Sequence, residues 1–126
     1  MMPWIRAIDD LAMVCCASPA SQQGACWRNL VQLLTAAPIA LRALGLVDLD
    51  SAAQRQWVAH EAWETLVLSI LDEDLSFLVS HGGSGRCLAS VVLRGRDEEI
   101  TSEGSTFALA VMSALLVAIL DAFGDS

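Results

Sequence analysis

From Leu75 to Arg94 the chain alternates with a period of two, interrupted once by a glycine-rich break. Leu75, Phe77 and Val79 alternate with Ser76, Leu78 and Ser80. After His81-Gly82-Gly83-Ser84-Gly85, the positions Cys87, Ala89, Val91 and Leu93 alternate with Arg86, Leu88, Ser90, Val92 and Arg94. Successive strand residues point to opposite faces, so this phase predicts a β-hairpin with one face on a core. The glycines supply the positive φ that a tight reversal needs. An acidic stretch comes next, in which Glu98-Glu99-Ile100-Thr101 can form a short third strand. Phe107 to Leu120 then reads FALAVMSALLVAIL, apolar except for Ser113, which predicts a helix buried nearly all round. Ser105 or Thr106 is its cap. Leu109, Met112, Leu116 and Ile119 recur at helical spacing and are expected to face the sheet.

Upstream the period is helical. Trp4, Ile5, Ile8, Leu11, Ala12 and Cys15 share one face of a first helix, which should stop before Ser18-Pro19 because the residue before proline avoids the α region. A second helix is expected from Trp27 to Leu44, with Pro38 either kinking or splitting it. Asp50 or Ser51 then caps a third helix from Ala52 to Leu71, whose apolar stripe includes Trp57, Trp63, Leu66, Val67 and Ile70. The fold expected is α+β: three or four N-terminal helices, a small antiparallel hairpin or three-stranded sheet, and a buried C-terminal helix. The 126 residues make one domain, helical over 1–72 and a hairpin–helix unit over 75–123.

Composition shifts the picture toward assembly. The hydrophobic share is 55% with only 6% aromatics, so the core is built of Ala, Leu and Val. A small domain with this apolar excess often spends it on a partner interface. We therefore expect a homodimer, with an unidentified protein partner as the other use of that surface. The seven basic residues, all Arg, stand against fifteen acidic ones for a net charge of −8, with no basic cluster. That argues against nucleic acid and against anionic membrane surfaces. The C-terminal apolar run is shorter than the roughly 20 residues a bilayer span needs. Asp9-Asp10 also interrupts what would be a signal-peptide core, so a cytoplasmic protein is expected. Cys15, Cys16, Cys26 and Cys87 show neither a disulfide framework nor paired C-x-x-C zinc spacing, and read as small buried apolar residues.

Candidate chemistry is thin. On an unbroken third helix His60 and Glu64 share a face at i, i+4, with Glu61 beside them, which makes His60, Glu61 and Glu64 the candidate ligand-binding set. The pattern is not H-E-x-x-H, since Glu64 stands where the second histidine would be, and His81 is the only other histidine. The Gly82–Gly85 loop leads into a strand rather than a helix and lacks a P-loop lysine, so it does not cradle phosphate. No nucleophile, base and orienting group come together, and neither a catalytic set nor a cofactor is expected.

Thr106-Phe107-Ala108-Leu109-Ala110-Val111 followed by Ser113-Ala114-Leu115-Leu116, after a hairpin, resembles the corresponding run of the small phage-encoded ABA-sandwich (α/β sandwich) proteins. Phe107 stands where that family has proline. The likeness covers about the last 50 residues. It supplies no catalytic residues, and it implies a phage or mobile-element origin and an accessory role. The function expected is a non-catalytic accessory or protein-interaction domain. The other reading is a small-ligand- or metal-binding domain using the His60/Glu61/Glu64 face.

Overall fold

The computed structural model describes residues 2–37, 46, 51–71, 75–81 and 84–124. Helix α1 (Met2–Ala17) ends one residue before Ser18-Pro19, as the proline requires. Its buried stripe is Ile8, Leu11, Ala12 and Cys15. A 3-10 turn over Ala20–Gln22 leads into α2 (Gln23–Thr35), which buries Cys26, Trp27, Leu30 and Leu34. Trp4 ties the two helices together by donating its indole N–H to the Leu33 carbonyl at 2.8 Å. The second helix thus starts earlier than its apolar pattern implies and reaches its C-cap at Ala36. Pro38, and the question of a kink or a split there, lie outside the described residues.

The expected third helix is in fact two. Helix α3 (Ala52–Ala59) and α4 (Trp63–Ser69) are separated by a corner at His60-Glu61-Ala62. Ser51 caps α3 in a capping box: its hydroxyl accepts from the Gln54 amide, and the Gln54 side chain accepts from the Ser51 amide.

Three strands form one antiparallel sheet in the order β1-β2-β3 (Ser76–His81, Cys87–Val92, Ile100–Gly104). The hairpin register pairs Ser76 with Val92 and His81 with Cys87. The third strand begins at Ile100 and runs to Gly104, further than the sequence suggests. Cys87, Ala89 and Val91 face the core, as the alternation predicts. The last element is helix α5 (Phe107–Gly124), which Thr106 caps by accepting the Leu109 amide. The architecture is α+β, as expected.

Residues Ala108 to Leu116 of α5 are buried without interruption, so the helix is enclosed on every side. It packs most extensively on α1, β3 and β2. One polar contact crosses this dry centre. Ser113 donates to the Ala12 carbonyl of α1 at 3.1 Å, and its oxygen lies 2.7 Å from the Ser102 hydroxyl of β3. Since the Ser113 proton is committed to α1, Ser102 donates to Ser113. That chain of bonds satisfies the one polar group in the apolar run.

Candidate functional site

The described surface offers two features: an open polar cleft at the α3–α4 corner and an apolar sheet edge. The cleft forms where Pro19 stops α1 and the chain re-enters helix. The Gln23 side-chain amide donates to the Ala20 carbonyl, and the Thr106 hydroxyl donates to Gln23 Oε1 at 2.9 Å, fixing that side chain. Across from it stands Trp63, at the start of α4. A Cβ on Gly24 would lie 3.0 Å from Trp63 Cζ2, so glycine lets the indole close against the first turn of α2. The resulting opening, about 730 Å³, is lined by Ala20 to Ala25, Arg28, Glu61 and Trp63.

The corner is built around Glu61. His60 closes α3 by donating its amide to the Gln56 carbonyl. Glu61 then takes a left-handed conformation with φ 54°, and the Ala62 amide returns to the Trp57 carbonyl at 2.8 Å. This break ends the helical repeat of α3 before α4 begins, so His60 and Glu64 do not share the single helix face that their spacing implies. All three candidate side chains are exposed. Glu61 lines both the large cleft and a smaller neighbouring depression of about 310 Å³; Glu64 lines only the smaller one and His60 neither. Glu64 in the first turn of α4 is well placed against the helix dipole. A guanidinium, a carboxylate and an indole around one opening can hydrogen-bond a small polar molecule. The lining residues include no histidine or cysteine to move a proton or attack a bond.

Elsewhere, several titratable groups tie elements together or lie buried. His81 Nδ1 lies 3.7 Å from the Cys87 sulfur across the end of the hairpin. Arg86 donates to the Cys16 carbonyl, and its Nε lies 3.5 Å from the Glu103 carboxylate, tying the hairpin to α1. Cys15, Cys26 and Cys87 are buried and Cys16 is half-buried; all four are free thiols. Burial pushes the Cys15 thiol far above its ordinary value, and the adjacent Cys26 and Cys16 push it the same way. Among the described residues, no three His, Cys, Asp or Glu side chains converge as a metal site. Nor is any helix among them long and apolar enough to cross a membrane.

The second feature is the sheet edge, the kind of exposed edge expected to invite pairing with a second copy. Phe77, Leu78 and Leu88 are exposed, Leu78 at 69%. Leu78 and Leu88 occupy the outward phase, which they share with Ser76, Ser80, Ser90 and Val92. No known protein family, curated protein or solved structure matches this chain.

Proposed function

We propose that this is a non-catalytic accessory or protein-interaction protein of the cytoplasm that works as a two-fold homodimer. The observation that carries the reading is β1, an edge strand whose Phe77 and Leu78 lie open to solvent. An exposed apolar edge is a template for pairing with another chain. The net charge of −8 sets direct nucleic-acid binding aside. A phage or mobile-element origin belongs to the same proposal, and it rests on the Thr106–Leu116 run. Sedimentation equilibrium at micromolar concentration tests the assembly. The expected species has twice the 13.4 kDa chain mass. A single species at the chain mass would overturn the homodimer.

One observation favours a second reading, a small-ligand-binding domain. Left-handed backbone at a non-glycine residue often accompanies a functional surface, and Glu61 holds that conformation on the rim of the cleft. Metal binding by His60, Glu61 and Glu64 is the narrower form of this reading. A thermal-shift series with zinc, calcium and magnesium separates the two. A large metal-dependent rise in Tm would move the assignment to the corner; an unchanged Tm supports the interaction reading.

A further inference from the structure

We propose that the second copy joins through β1 itself, the two β1 strands pairing antiparallel about a two-fold axis at Leu78. This inference rests on the homodimer reading above and specifies its joint. The product is one continuous sheet with three strands from each copy and both α5 helices on the same face.

Among the described residues, the sheet is unguarded at one of its two edges only. Strand β3 packs against α1 as well as α5, and it carries Glu103 beside Arg86. Strand β1 touches α5 only lightly, and none of the described strands other than β2 pairs with it. Its sequence Ser-Phe-Leu-Val-Ser-His contains no lysine, proline or carboxylate, the residues that normally blunt an edge. Phe77 sits in the phase that faces α5, since it pairs with buried Val91, yet it remains 43% exposed. The core of a single copy does not extend far enough to cover it.

Symmetry then restricts the register. A two-fold axis perpendicular to the sheet keeps the same face up in both copies, so directly opposed residues must share a phase. The axis must therefore pass beside a residue, and Leu78 and Val79 are the central ones. With the axis at Val79, Phe77 would stand opposite His81 and Leu78 opposite Ser80, setting apolar against polar. With the axis at Leu78, Phe77 of each copy stands opposite Val79 of the other, Leu78 meets Leu78, and Ser76 meets Ser80. Aromatic against β-branched is a favourable cross-strand pair, and here it occurs twice. Antiparallel pairing also sends the strand starts, each preceded in sequence by Asp72-Glu73-Asp74, to opposite ends of the joint.

The test uses full-length chains carrying Leu78→Cys, Val79→Cys or Ser80→Cys, oxidised with diamide and run on non-reducing gels beside the natural sequence. Opposed residues hold their Cα atoms about 4.5–5.5 Å apart, within the span a disulfide bridges, whereas residues offset along the joint are too far. The expected result is a thiol-reversible dimer in Leu78→Cys alone, above the background set by the native cysteines. Efficient linking of Val79→Cys instead would overturn the register. So would a sedimenting dimer in which none of the three links, and in either case the homodimer reading would survive. A natural chain that sediments at the single-chain mass with no linking would overturn both. Leu78→Glu supplies a second readout, because it sets two carboxylates face to face on the axis. It should weaken the dimer by at least about tenfold, and an unchanged dissociation constant would place the joint elsewhere.

Discussion

Glu61 shows what a single residue contributes to the shape of the candidate site. Among the described non-glycine residues it alone has a positive φ, at 54°. An L side chain in that region carries roughly 1–2 kcal/mol of strain, while glycine gives back part of that difference through its greater freedom in the unfolded chain. Glu61→Gly should therefore stabilise the protein by about 0.5–1 kcal/mol, read from the urea midpoint. A loss of stability would mean that the carboxylate itself holds the corner. Cys15 makes the pH behaviour legible in the same way. In the unfolded chain a thiol ionises near about pH 8.5, whereas buried Cys15 keeps its proton well above that. Its contribution is fully present below that pH. Above it the unfolded state sheds a proton that the folded state retains, so stability falls by up to about 1.4 kcal/mol per pH unit. Cys15→Ala should flatten the decline between about pH 8.5 and 10. An unchanged slope would assign it to other groups.

At the scale of elements, β3 and α5 meet closely at Gly104. Gly104 ends the strand directly against the first turn of the helix. A Cβ there would lie 2.5 Å from the Ala110 nitrogen and 2.8 Å from the Leu109 carbonyl carbon. Backbone atoms inside a buried helix cannot swing aside as a flexible side chain can. Gly104→Ala should therefore cost about 1–3 kcal/mol or more, through displacement of the strand from the helix. Chemical denaturation would register it, and a cost below about 0.5 kcal/mol would show that the strand end yields freely. The α3–α4 corner is the opposite case, an element boundary with weak local cause. No proline or glycine occurs from Ala52 to Leu71, and the apolar stripe runs straight across the break. What accompanies the break is a long-range fit, the Trp63 indole closing on Gly24 of α2.

For the whole molecule, one helix sets the plan. Enclosing α5 between α1 and the sheet uses most of the apolar excess internally. The remainder is uneven. Met13 and Val14 lie exposed on α1 and Leu68 on α4, while Phe77, Leu78 and Leu88 gather on the hairpin. Scattered exposed apolar residues are ordinary on any surface. Leu78 and Leu88 share the outer face of the hairpin and Phe77 lies on its α5 face, all near a strand edge that no other described strand pairs and that has backbone hydrogen-bonding capacity of its own. This contrast gives the assembly proposal its location. Composition alone argues for a dimer without saying which surface joins.

By itself the sequence determined the elements whose signal is local and periodic. Period-two alternation placed both hairpin strands and chose the face carrying Cys87, Ala89 and Val91. The apolar run after Thr106 marked α5 as the enclosed helix, and Ser18-Pro19 ended α1 where the α region becomes disfavoured for Ser18. These features stem from side-chain period and backbone sterics, which act over a few residues. Only the tertiary structure decided that residues 52–71 form two helices, a break that carries no local proline or glycine signal and comes with Trp63 packed beside a glycine nearly forty positions away. The same holds for the candidate site: i, i+4 spacing brings His60 and Glu64 together only while the helix between them is intact. The exposure of Phe77 was likewise decided in three dimensions. Its phase is a core phase, but β1 lies at the sheet margin, where α5 no longer reaches to cover it.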